Sequence, residues 1–230
     1  MRPRLALTAA ALAAASLLIG CGGSEPSGNA LASMTPAQIA AAAKTAAVSA
    51  TSVHVAGSIV SRGKPISLNM ELVANKGGMG HVALGGVGFS IVGVDRAVFV
   101  SGGTAFFTSL AGATAARIMR GKWLKGAETG VLAPFAWLTR MRTLLGSALA
   151  PHGTLSRAPA TTVEGRPALA VSDGADGGTL YVASTGTPYP LELVRRGAAA
   201  GKLVFDRWNQ PVELSVPANA INVKQLQSGR

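Results

Sequence analysis

The stretch ISLNMELV, residues 66–73, alternates without a break: Ile66, Leu68, Met70 and Leu72 fall on one side, Ser67, Asn69 and Glu71 on the other. A period of two marks a strand with one apolar and one polar face. Looser versions surround it. SVHVAGSIV (52–60) precedes it across a turn at Arg62, Gly63 and Lys64. GHVAL (80–84), VGFSIVGV (87–94) and AVFVSGG (97–103) follow, broken at Asn75, Lys76, Gly77 and Gly78 and again at Asp95 and Arg96. Connections this short, rich in Gly, Asn and Asp, make the run an antiparallel meander.

Helical spacing replaces the two-residue period in three places. In MTPAQIAAAAKTAAVSA (34–50), Thr35 is placed as N-cap, Pro36 as first helical residue and Gln38 as its capping-box partner, with Met34 and Ile39 as a hydrophobic staple. That helix should run to about Ser49. A second is expected over residues 105–119, AFFTSLAGATAARIM, and a third over 134–149, PFAWLTRMRTLLGSAL. In the third, Phe135, Leu138, Met141, Leu145 and Leu149 form one stripe, with Arg140, Thr143 and Ser147 opposite. Between the last two, GKWLKGAE (121–128) reads as a short strand carrying Trp123. From Leu155 the strand pattern returns through TTVEGRPALAVS, GTLYVAS, PLELVRR, GKLVFDRW and PVELSVP, with turns at Asp173-Gly174, Gly186 with Pro188, residues 197–201, and Asn209. Residues 219–230 read as a loose tail. Ten or eleven short strands interrupted by helices predict an α+β domain over 34–218: a single curved antiparallel sheet packed on helices and covered on one face only.

The first residues have another organisation. Arg2 and Arg4 precede an uncharged Ala- and Leu-rich run from Leu5 to Gly20. That run is shorter than the ~20 residues needed to span a bilayer and has the layout of an export signal over 1–20. It ends in Leu18-Ile19-Gly20-Cys21, which resembles the bacterial lipobox. In that pattern the chain is cut before Cys21, its thiol takes a diacylglycerol and its new amino group an acyl chain. Cys21 is the one cysteine of the chain, so an internal disulfide is excluded, and lipidation leaves no thiol for redox or nucleophilic work. Two or three acyl chains anchor far more firmly than one. Residues 21–33 then read as a lipidated flexible tether, and no transmembrane helix is expected after it.

Composition changes the picture in one respect. The formal net charge is +11, of which Arg2 and Arg4 belong to the leader, and aromatics are 5%. Export and the lack of an aromatic-plus-basic motif argue against nucleic acid. An anionic membrane surface and simple solubility remain as two readings of the charge.

The search for chemistry is negative: no HExxH, GxSxG or Walker A pattern occurs. His54, His81 and His152 are dispersed. SDGADGG (172–178) lacks the spacing of a calcium loop and reads as a hairpin turn. Arg117, Arg120, Lys122 and Lys125 are the densest basic cluster, facing either head groups or solvent. Phe106, Phe107 and Trp137 belong either to a core or to a cavity lining. No metal, cofactor or catalytic residue is expected beyond the covalent lipid on Cys21.

The lipobox followed by an Ala-rich helix, AVFVSGGTAFF leading through a helix into GKWLK, and the terminal GTLYVASTGTPYPLELV, GKLVFDRW and PVELSVP resemble the LppX/LprG-type lipoproteins of mycobacteria and their relatives, of LolA/LolB-like fold. The resemblance spans residues 35–217. It implies an open half-barrel of about eleven strands around helices, whose apolar concave side binds acyl chains of lipids or glycolipids in transit through the cell envelope. The expectation is therefore a non-enzymatic, monomeric lipid carrier, anchored on the extracytoplasmic side and working with lipid cargo and an envelope transporter. Candidate lining residues are Met70, Phe89, Ile91, Phe99, Phe106, Leu110, Trp137, Leu138, Met141, Leu145, Leu193 and Phe205, chosen as apolar positions on patterned faces. The alternative is a lipoprotein with a filled core acting as scaffold or partner in an envelope complex. A hydrolase is disfavoured because no nucleophile and base are paired.

Overall fold

The computed structural model describes residues 28–61, 63–174 and 178–228. The leader and Cys21 lie outside them. Twelve strands form one open sheet in the order β12-β6-β5-β4-β3-β2-β1-β11-β10-β9-β8-β7. β1 (Ser52–Ser61), β2 (Lys64–Val73), β3 (Gly77–Leu84), β4 (Val87–Val94), β5 (Ala97–Gly102) and β6 (Leu124–Ala127) form one meander. β7 (Leu155–Val163), β8 (Arg166–Asp173), β9 (Gly178–Ala183), β10 (Pro190–Arg195) and β11 (Gly201–Asp206) form the other. Antiparallel pairing of β1 with β11, His54 opposite Asp206, joins them. At the β4–β5 hairpin both central residues, Asp95 (φ 49°) and Arg96 (φ 62°), have the positive φ that a type I′ turn requires.

Helices cover the inner face. α1 (Pro36–Ser49) carries the expected capping box between Thr35 and Gln38 and buries Ile39, Ala43 and Ala47 along one stripe. These small residues let it lie close to β7–β10 and to α4 (Met141–Ala148). α2 (Thr104–Met119) packs on β4 and β5. The expected helix over 105–119 is bent, because Gly112 sits at φ 84°, ψ 165°, outside the helical region. The expected helix over 134–149 is divided. α3 (Ala133–Ala136) passes into a 3-10 turn at Trp137–Thr139, Arg140 is extended, and α4 starts afresh.

The division has a cause in the sheet beneath it. Gly78 and Gly93 face each other across β3 and β4 on the inner face. A Cβ on Gly93 would lie 2.2 Å from the Thr139 hydroxyl oxygen, and one on Gly78 would lie 3.3 Å from the Thr139 carbonyl oxygen. The glycine pair is a notch that seats Thr139, whose hydroxyl donates to the Ala136 carbonyl (2.9 Å). Arg140, next along, reaches out to Glu128 (2.7 Å).

Three expectations about chain ends and faces need correcting. Residues 28–33 belong to the domain rather than to a tether. Gly28 bridges Thr185, the Asn29 side chain donates to the carbonyls of Ala183 and Gly186, and Leu31 in the short 3-10 helix Ala30–Ser33 is buried. PVELSVP, bounded by Pro211 and Pro217, forms no strand. Its chain leaves β1 where Ser52 donates to the Gln210 carbonyl and reaches Trp123, whose carbonyl accepts from Ile221. The helices pack on the inner face of the sheet, and the opposite face is the outer one. The loose tail is instead β12 (Ile221–Asn222), parallel to β6, followed by α5 (Val223–Ser228).

Phe99 marks the same outer face. Its neighbours Val98 and Val100 enter the main core, so Phe99 points the other way, opposite Val92 and under the Lys125 ammonium, 5.5 Å from its ring centre. It is nonetheless 2% exposed. The sheet is therefore covered in part on both faces. No described helix is long and apolar enough to cross a membrane.

Candidate functional site

The inner face is mostly filled. Met70, Ile91, Leu138, Leu145 and Phe205 are wholly buried and Phe89, Phe106 and Met141 nearly so, all in one core cluster. Leu110 is half-buried against it. Phe89 stacks on Phe106 with ring centres 4.6 Å apart and meets Phe135 edge-on at 5.2 Å, tying α2 and α3 to β4. Ten of the candidate residues are thus packed interior or, for Phe99, outer face; Trp137 and Leu193 line an apolar cleft, and Phe89 and Met141 reach the edges of two other surface hollows.

The apolar cleft lies at the β1–β2 hairpin end, where the strands run past the end of α4. Ile59 faces Ile66 across the hairpin, and Leu203 faces Leu193 across β10 and β11. Leu68, Leu144 and Trp137 complete this cleft of about 390 Å3, with Ser61, Ser147, His152 and Arg195 also lining it. Trp137 is 37% exposed, the least covered aromatic of the central helices. The volume is at the lower end of the ~300–1,000 Å3 of small-molecule sites. Sequence reasoning missed Ile59, Ile66, Leu68, Leu144 and Leu203. The period of two puts Ile66 and Leu68 on the same face as Met70, but it does not say where the covering helix stops.

The opposite end of the strands carries a polar cleft of about 620 Å3 that includes Lys76, Asp95, Arg96, Glu128, Arg140 and Arg142. Glu128 bridges Arg140 (2.7 Å) and Arg96 (3.3 Å). The hydrogen bond from Arg140 holds its carboxyl below the usual range, opposed by burial and helped by Arg96. A lowered carboxyl stabilises the fold above the ordinary carboxylate range, and this is lost as pH falls through the folded-state value. Exposed ion pairs contribute about 0–1 kcal/mol. Glu128→Gln should therefore lower the melting temperature by ~1–3 °C at neutral pH, and the difference should vanish in acid. A gap unchanged on acidification would show that the clamp does not titrate.

The histidines stay apart. His54 Nδ1 lies 2.6 Å from Asp206 on the outer face, His81 Nδ1 lies 3.0 Å from the Ser90 hydroxyl, and His152 lines the apolar cleft. Among the described residues no group of three or more His, Cys, Asp or Glu could hold a metal ion. Asp173 accepts from the His152 backbone N–H (2.6 Å), while residues 175–177 of the SDGADGG turn lie outside the described residues. In the basic cluster, Lys125 covers Phe99, and Arg117, Arg120 and Lys122 are exposed.

No protein-family model matches this chain, and no curated protein matches it in sequence. Solved structures do. LprF from Mycobacterium bovis is similar at a TM-score of 0.57 and 13% identity, over 80% of this chain and 97% of its own. The Mycobacterium tuberculosis lipoprotein LppX is similar at 0.50 and 17%, over 78% and 99%. A single open sheet wrapped on helices, matched over nearly the whole length of both, gives this protein the fold of LprF and LppX.

Proposed function

We propose that this protein is an envelope lipoprotein, anchored through lipidated Cys21, that binds the acyl chain of a lipid between its sheet and helices. The observation that carries the reading is the apolar cleft at the open end of the concave face, bordered by Trp137, Leu193 and Leu203. It lies in a fold shared with a lipoprotein. Burial of apolar surface at ~25 cal/mol per Å2 would drive binding, so chain length should count for more than chain chemistry.

The test is to express residues 22–230, extract the purified protein with organic solvent and identify the extract by mass spectrometry. Stoichiometric lipid supports the reading. If nothing co-purifies, and long-chain lipids neither bind nor stabilise the fold, the reading is wrong. Trp137→Ala gives a second measurement. Because Trp137 borders the cleft instead of filling the core, the variant should keep its melting temperature within a few degrees and bind the same lipid about tenfold more weakly.

The density of the interior supports a second reading. With Met70, Ile91, Leu138, Leu145 and Phe205 wholly buried, the molecule can also serve as a filled scaffold that meets an envelope partner through its surface. Absence of lipid together with specific capture of an envelope protein would favour it.

A further inference from the structure

Arg195 is out of place on an apolar face. It lies two residues beyond Leu193 on β10, so both point inward, and it is the one lysine or arginine among the described residues lining the apolar cleft. Its guanidinium is fixed. Nη1 donates to His152 Nδ1 (3.0 Å) and Nη2 donates to the Ala148 carbonyl at the end of α4 (3.1 Å). No described carboxylate lies within ion-pair distance of it. Asp173, the acid nearest along this rim, is engaged by the His152 backbone N–H at 2.6 Å. A guanidinium held by neutral acceptors keeps its charge and further N–H donors uncommitted.

We infer that the cleft takes an amphiphile with one acyl chain and an anionic head group, the chain lying along Trp137, Leu203 and Leu193 and the head group bound by Arg195. The inference rests on the acyl-chain reading above and adds the head-group chemistry to it. A planar fork, oriented in advance by two hydrogen bonds, suits a carboxylate or phosphate, which accept two N–H groups side by side. The cleft volume of about 390 Å3 suits one chain rather than several.

Three probes of equal chain length separate the parts: laurate, dodecyl phosphate and uncharged 1-dodecanol, titrated calorimetrically into the delipidated protein, with inorganic phosphate as the chain-free control. Laurate and dodecyl phosphate should bind about tenfold or more tighter than dodecanol, as expected for charge-assisted hydrogen bonds. Arg195→Met should reduce both to the affinity of dodecanol, and Arg195→Lys should keep part of the preference. Equal affinities in the wild type, a preference that survives in Arg195→Met, or displacement of laurate by inorganic phosphate alone overturns the inference. The wild-type comparison stands whether or not the variants fold. Dodecanol binding without head-group preference sinks this inference alone, whereas failure of every chain-bearing probe sinks the acyl-chain reading as well.

Discussion

Replacing Gly93 by alanine is expected to cost about 2–3 kcal/mol, at the upper end of the range for overpacked interiors. For a chain of this size that is a fall of roughly 5–10 °C in melting temperature. Backbone strain has no part in it, because Gly93 does not have positive φ. The cost is spatial: the new Cβ would lie 2.2 Å from the Thr139 hydroxyl oxygen, 2.5 Å from its Cβ and 2.8 Å from its Cγ. The neighbour is a short, β-branched side chain on a 3-10 turn held on both sides, by α3 and by the Arg140–Glu128 pair. It cannot swing away as the end of a long side chain would. Gly93→Ala and Thr139→Gly should therefore couple, the double variant being more stable than the sum of the two losses allows. Thermal unfolding of the four proteins in the cycle measures this. Strict additivity would mean that the notch does not seat the turn.

Phe205→Ala is the other large effect, expected at about 3–5 kcal/mol. Phe205 is 1% exposed on β11, opposite Val55 of β1, and its ring centre lies 6.4 Å from that of Trp208, which in turn stacks on Tyr189 at 4.6 Å. Removing the ring empties the floor of the core at the seam between the two meanders, where backbone pairing keeps the strands from closing the void. The melting temperature should drop by roughly 10 °C or more. Phe205 was a candidate for lining a cavity, so the result also decides its role. A variant that unfolded at the wild-type temperature and lost lipid binding would return it to the cleft.

The strands and α1 were legible because each carries its signal within a few residues: the clean alternation of 66–73, and Thr35, Pro36 and Gln38 at the start of α1. The expected α+β sheet on helices follows from those signals alone. What escaped depends on distant partners. The stripe from Phe135 to Leu149 is a sound helical pattern, but Thr139 must enter a notch made by glycines at 78 and 93, and the helix divides. PVELSVP alternates like a strand, yet it is bounded by Pro211 and Pro217 and takes no place in the ladder. Phe99 sits in an unbroken Val98-Phe99-Val100 run, where apolarity cannot say which face is inner. Two residues are too few for periodicity, so β12 left no trace. At the cleft, Trp137 and Leu193 were legible as apolar positions on patterned faces. The opening itself depends on how far α4 reaches along the β1–β2 hairpin, and that is settled only in three dimensions.

The pairing of β1 with β11 bears on the order in which the molecule is assembled. His54 and Asp206 meet although they are 152 positions apart in the chain. During synthesis β1 can pair with β2 at once, while its other edge waits for residues 201–206. An unpaired strand edge is where foreign strands add, and long-range pairings of this kind form slowly. Ser52–Ser61 is then the segment most in need of shielding on a half-emerged chain. Loss of the last thirty residues would leave that edge open permanently. A peptide with the sequence of β11, GKLVFD, should be captured by such a truncated chain and ignored by the complete one.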